Sequence, residues 1–234
     1  MSELLTSDVR YVVQRIPRDV RNLMSAHPGR VFVGGGFIRA TIAGETPSDI
    51  DIFGHDKDYL INLAENFAKD RPGSKLHRTK NAVTVLTPDR LPVQFITRWV
   101  FTYPQALVAS FDYTVCQAAV WRSGRNANDP WVSECGNRFY VDLAARRLVY
   151  TSPIREEEAG GSLLRAVKYV KRGYTIQVSS LGAVVARLVS AMRDSRFADQ
   201  EPGTVLAGLL REVDPLLVVD GFDVVDDHEP LECE

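Results

Sequence analysis

The stretch that decides the fold is residues 31–53, VFVGGGFIRATIAGETPSDIDIF. A short apolar strand over 30–33 runs into Gly34-Gly35-Gly36. Residues 37–43 read as a short helix closed at Gly44, a residue suited to the left-handed conformation at a helix C-terminus. Residues 45–48 form a turn, and 49–53 read as the next strand. There Asp49 and Asp51 stand at i and i+2, flanked by Ile50 and Ile52. On a strand this spacing puts both carboxylates on one face and both isoleucines on the other. Neighbouring carboxylates repel unless a cation lies between them, so the pair points to a divalent metal site. The glycines upstream let a phosphate approach the backbone at a helix N-terminus. Together these features imply chemistry on a nucleoside triphosphate. Each also has a plainer reading: a surface strand with solvated aspartates, and a tight turn that needs φ > 0.

Working outward, the 234 residues suit one larger domain with a small appendage. A net charge of −2 gives no global attraction to nucleic acid, so any such binding must come from a local patch. Three cysteines without CxxC spacing disfavour a disulfide framework or a zinc site and fit a reducing compartment. No apolar run reaches the roughly 18 residues of a membrane span, and the N-terminus lacks the layout of a secretion signal. The expectation is a cytoplasmic protein with no membrane partner.

Apolar spacing predicts a helical stretch over 7–25 interrupted at Pro17, and a helix over 58–69. Strands are expected at 83–86, 93–97 and 111–121, with a short helix at 104–109 between the last two. Residues 139–143 and 147–150 suggest a closing hairpin. A linker over 153–161 carries Glu156, Glu157 and Glu158. Helices follow over 162–173 (with Ser162 as N-cap), 181–192 and 204–213, then an acidic tail from Val218. The expected fold class is α/β (α+β): a mixed sheet flanked by helices in 1–155, followed by a small helical part in 156–234.

The run Gly35-Gly36-Phe37-Ile38-Arg39, then Gly44, then Asp49-Ile50-Asp51 closely resembles the signature of polymerase-β-type nucleotidyltransferases. The resemblance is nearest to the head domain of CCA-adding enzymes and bacterial poly(A) polymerases. Weaker matches follow at Val93 to Arg98, at Phe111 to Ala118, and at Leu164 to Tyr174, which resembles that family's neck helix. The resemblance implies a nucleotidyltransferase head in 1–155 and a neck in 156–234. It implies magnesium, or manganese in its place, as cofactor. It also implies transfer of a nucleoside monophosphate from an NTP to an acceptor hydroxyl on RNA (a tRNA-like 3′ end), on protein or on a small molecule. The chain departs from that family in three ways. Gln94 stands where many members carry a third carboxylate, and Ser110-Phe111 replaces an arginine pair. Only about 75 residues follow Gly160, in place of a large RNA-gripping body.

Asp49, Asp51 and Asp112 are therefore the candidate catalytic and metal-binding residues. Asp112, read on a strand beside Thr114 and Cys116, is a third ligand, a base, a nucleotide contact or a plain strand-edge aspartate. Gly35, Gly36 and Arg39 are candidate nucleotide-binding residues, Arg39 through a phosphate or by bracing the aspartate turn. Arg165, Lys168 and Arg172, at i, i+3 and i+7, form a basic stripe that suits a triphosphate or a solvated helix face. Tyr113 and Tyr174 suit base stacking or the core. Because of Gln94, a catalytically impaired nucleotide-binding pseudoenzyme is the competing reading.

Overall fold

Short apolar runs alternate with helical stretches through the first two thirds of the chain, and the computed structural model folds those runs into one sheet. It describes residues 1–124, 130–153, 159–194, 197 and 199–211. The chain divides into two units, Met1–Pro153 and Ile154–Glu234. The linker glutamates Glu156 to Glu158 and the tail from Val218 lie outside the described residues, as do the last residues of the helix expected over 204–213.

In the first unit α1 (Thr6–Arg15) and α2 (Arg18–Ala26) are separated at Pro17, as a proline without an N–H requires. Then come β1 (Val31–Gly34), α3 (Gly36–Ile42), β2 (Ile50–Gly54) and α4 (Lys57–Lys69). These are followed by β3 (Lys75–Arg78), β4 (Ala82–Leu86), β5 (Val93–Ile96), α5 (Pro104–Ser110), β6 (Ala118–Arg122), β7 (Trp131–Cys135) and α6 (Phe139–Ala144). Among the described residues the sheet has seven strands in the order β3-β4-β5-β2-β1-β6-β7. Only β2 and β5 pair in parallel; the other neighbours are antiparallel.

Register and alternation sort the side chains. Ile50 and Ile52 of β2 lie beside Val93 and Phe95 of β5, and all four are fully buried. Phe67 of α4 meets Phe95 edge-on at 5.8 Å, so α4 covers this face. Asp56 caps α4 by accepting the Tyr59 N–H at 2.6 Å, and Leu60, Leu63, Ala64 and Phe67 form its buried stripe. Burying each of the larger members contributes about 2 kcal/mol. The opposite face carries Phe32 and Phe53, directly paired, which pack with Leu107 and Val108 of α5. Asp51 stands two residues from Phe53 on the same strand and is therefore on this second face.

Three expected elements are corrected. Residues 111–121 are not one strand: Asp112 is in a bend, Thr114–Cys116 form a 3-10 turn, and only Ala118–Arg122 are strand. Bonds to distant backbone shape the first half, from Thr114 N to Val149 O (3.1 Å) and from Thr151 N to Asp112 O (2.8 Å). Residues 139–143 belong to α6 and not to a hairpin; Phe139 and Leu143, four apart, are its buried pair. Ser162 is not an N-cap but a buried position inside a helix. Two strands of the seven-stranded sheet, β3 and β7, went unanticipated. All four residues of β3 are exposed at the sheet edge, so it carries no apolar alternation.

The second unit contains α7 (Ala159–Lys171), α8 (Val178–Met192) and α9 (Pro202–Arg211). Leu188, Val205 and Leu209 form its core with Leu163, Met192 and Phe197 against them. A Cβ on Gly160 would stand 2.3 Å from the Leu209 carbonyl oxygen, so only glycine lets α7 approach α9 this closely. No helix among the described residues is long and apolar enough to cross a membrane.

Candidate active site

The antiparallel register of β1 and β2 builds the site. Val33 pairs with Ile52, so one further step sets Gly34 beside Asp51, and the glycine end of β1 runs alongside the Asp49–Asp51 start of β2. Asp49 stands one residue before β2, partly buried, with the Ser48 hydroxyl donating to its Oδ1 at 3.2 Å. Asp51 is also partly buried, between the fully buried Ile50 and Ile52. Across the parallel ladder Asp51 faces Gln94, and Gln94 in turn faces Thr84 of β4. Gln94 is buried, and its Nε2 has no hydrogen-bond partner among the described residues. An amide with an unmet donor next to a carboxylate is a polar group awaiting a partner.

The three glycines meet different surroundings. Gly35 caps α3 with φ +74°, and a Cβ there would lie 3.0 Å from the Phe111 ring. A Cβ on Gly34 would lie 3.1 Å from the same ring. Phe111 itself meets Phe53 edge-on at 5.7 Å, which joins it to the α5 cluster. Gly36, in contrast, opens onto space: a Cβ there would meet nothing within 4 Å. Packing explains the first two glycines, and only the third leaves room for a ligand to reach the backbone. Phe111 was visible in the sequence only as a missing arginine; its place over the glycines comes from a contact between segments far apart in the chain.

Arg39 is 1% exposed and pairs through Nη1 with Glu45, whose other oxygen lies 3.8 Å from Arg146. This ties α3 to the turn that delivers Asp49. Asp112 is buried in its bend. Among the described residues no three His, Cys, Asp or Glu side chains are grouped to hold a metal ion. Tyr113 and Tyr174 are both buried. Arg165 and Lys168 lie on α7 of the second unit, and Arg172 in the turn just after it. The donor set at β2 is thus two carboxylates with a buried amide beside them. Magnesium prefers such hard oxygen ligands and keeps several waters, so two carboxylates at the mouth of an open glycine turn suit it.

Behind the site, Asp142 locks α6 to the 3-10 turn. Its side chain is fully buried, and Oδ2 accepts from Thr114 Oγ1 (2.7 Å) and Arg138 Nε (3.0 Å). Its Oδ1 accepts from Arg138 Nη2 (2.9 Å) and Arg147 Nη2 (2.7 Å). Burial pushes this carboxyl up, but the hydrogen bonds from Arg138, Thr114 and Arg147 and the Arg138 charge outweigh it and hold the group below the usual carboxylate range.

Solved structures share this architecture. The Thermotoga maritima CCA-adding enzyme complexed with tRNA matches over 94% of this chain and 54% of its own, with a TM-score of 0.58 and 18% identity. A CCA-adding enzyme complexed with CTP matches over 94% of this chain and 53% of its own, with a TM-score of 0.56 and 19% identity. The same kind of enzyme with ATP matches over 90% and 51%, with a TM-score of 0.56 and 19% identity. The chain spans about half the length of these enzymes. No curated protein matches it. The fold is therefore of the nucleotidyltransferase type found in CCA-adding enzymes. The chain belongs to the Gabija anti-defense 2 (Gad2) family, whose profile matches residues 3–146.

Proposed function

We propose that the chain is a magnesium-dependent nucleotidyltransferase that moves a nucleoside monophosphate from an NTP to an acceptor hydroxyl, and that this transfer is its anti-defence activity. The observation that carries the reading is the register that sets the glycine end of β1 alongside the Asp49–Asp51 start of β2, with Gly36 open just beyond that end. Asp49 and Asp51 would hold the metal, which when bound supplies charge stabilisation for in-line displacement at the α-phosphorus. The chain's own residues bind and orient. Gly36 leaves the phosphates room against the backbone, Arg39 braces the Asp49 turn through Glu45, and the unmet Gln94 amide donor is left for a substrate oxygen. Arg165, Lys168 and Arg172 are proposed as further nucleotide-binding residues.

The acceptor in this reading is RNA, a tRNA-like 3′ end in the first place, supported by the likeness to a CCA-adding enzyme complexed with tRNA. A second reading, transfer to a protein or small molecule of the opposed defence system, is favoured by the family's name.

The test is pyrophosphate release with magnesium and each NTP in turn, with total cellular RNA or purified Gabija components as acceptor. Release lost in Asp49→Ala and Asp51→Ala, with label on an RNA band or on a Gabija component, supports the transferase and names the acceptor. NTP binding without release under every acceptor would leave a nucleotide-binding pseudoenzyme.

A further inference from the structure

A second polar site is built where α2 begins. A cavity of about 450 Å³ there is lined by Arg18, Asp19, Asn22, Arg71 and Arg90, with Pro17 at its edge. The Arg71 guanidinium lies over the Phe67 ring at 4.2 Å, and Phe67 packs on Phe95. Phe95 alternates with Gln94, so this cavity is on the side of the sheet opposite Asp51.

Its charges do not balance. Three arginines surround one carboxylate. Asp19 is fully engaged: Oδ2 accepts from Arg71 Nε at 2.7 Å and from Arg90 Nη1 at 2.9 Å, and Oδ1 from the Val20 N–H at 2.9 Å. The Arg71 side chain is 2% exposed, yet neither Nη1 nor Nη2 has a hydrogen-bond partner among the described residues. A buried guanidinium with two unmet donors is costly, and an external acceptor removes that cost. α2 also starts at Pro17 without a side-chain cap from that residue. Arg18 and Arg90 are exposed and form the mouth.

We propose that this cavity binds the phosphate group of a small phosphorylated ligand, with the Nη pair of Arg71 as a buried fork and Arg18 and Arg90 closing over the remaining oxygens. The surplus of two positive charges matches a phosphate dianion, and a planar guanidinium fork matches its oxygens. The cavity volume is that of a small-molecule site. The inference does not rest on the nucleotidyl-transfer reading, because it uses none of its residues.

The test is calorimetric titration of the full chain, in chelator and at constant ionic strength set with chloride, with inorganic phosphate, pyrophosphate, a nucleoside monophosphate and a single-stranded oligonucleotide. The expected result is binding of phosphate or of the small phosphorylated molecules at millimolar concentration or tighter. Arg18→Ala/Arg90→Ala should weaken it about tenfold or more with only a small fall in the ligand-free Tm, since the exposed Arg90–Asp19 pair contributes little, and Asp49→Asn/Asp51→Asn should leave it unchanged. Arg71→Met should abolish it; if that variant fails to fold, the surface pair decides. No binding of any small phosphate overturns the proposal, as does binding unchanged in Arg18→Ala/Arg90→Ala or lost in Asp49→Asn/Asp51→Asn. Oligonucleotide binding that depends on Arg18 and Arg90 while phosphate fails to bind would replace it with a nucleic-acid contact face.

Discussion

Gly35 and Gly36 are neighbours that answer to different demands, and substitution separates them. At Gly35 an alanine meets both φ +74° and the Phe111 ring, so Gly35→Ala is expected to lower stability by about 1–3 kcal/mol. At Gly36 an alanine meets nothing and joins the first turn of α3, so Gly36→Ala should keep or slightly raise the Tm while weakening NTP binding. Thermal melts beside nucleotide titrations check both, and an undiminished NTP affinity in Gly36→Ala would remove Gly36 from the site. Gln94→Glu tests the carboxylates in the same spirit. It sets a third negative charge beside Asp51, so the variant should be less stable than the parent in chelator and should gain more Tm on adding magnesium. Equal magnesium shifts in both proteins would argue against a metal at β2. Much of this site was legible in the sequence because it is local: glycines, helix, turn and aspartates fall within residues 31–53 with their spacing intact. Phe111 and the pairing of Gln94 with Asp51 were not, because their roles come from strand pairing and packing between segments distant in the chain.

At the scale of elements, the first unit is held by carboxylates shared between arginines, Asp142 fully buried and Asp19 partly so. Asp142 joins α6 to the 3-10 turn, and Asp19 joins α2 to the residues that follow α4 and β4. Burial raises the Asp19 carboxyl, but the hydrogen bond and charge of Arg71 overcome it, and the net shift is downward, as for Asp142. A carboxyl whose folded pKa lies below its unfolded value of about 3.9 contributes stability that is complete above that value. That stability is lost as pH falls through the folded pKa. The Tm should therefore hold from neutral pH to about 5 and drop below about 4. Asp142→Asn should cost about 1–2 kcal/mol at neutral pH, since it weakens the charge-assisted hydrogen bonds to the partly exposed Arg138 and Arg147, and should flatten the acid limb of the Tm–pH curve. An acid limb as steep as the parent's would mean other carboxyls carry it. The element around Asp142 was also where sequence reading failed. Five apolar-rich residues at 139–143 fit a strand or one helical turn equally by period, and the buried ion cluster that decides between them needs Thr114 and Arg147 brought together. The edge strand β3 shows the reverse problem, since fully exposed residues leave no periodic trace.

At the scale of the whole molecule, Met1–Pro153 has the means to fold alone. Its size lets a chain bury about two thirds of its surface. Its start is tied back into the sheet, with Ser2 bridging Cys135 and the Leu4 N–H donating to Ser133 Oγ at 3.0 Å. Expressed as residues 1–153, it should unfold in one cooperative transition. The comparison with the full chain then assigns the basic residues of the second unit. If Arg165, Lys168 and Arg172 contribute to NTP binding, the fragment should bind NTP more weakly, by about tenfold or more. Arg165→Ala/Lys168→Ala/Arg172→Ala in the full chain should reproduce that loss with the Tm nearly unchanged, since all three side chains are only partly buried. Raising salt should narrow the gap between parent and variant, because a triphosphate held by partly exposed cations is screened. A fragment that binds NTP as tightly as the full chain would confine nucleotide recognition to the β1–β2 site and leave the stripe as a solvated helix face. A triple variant weaker than the fragment would instead mean that the substitutions damage the second unit itself.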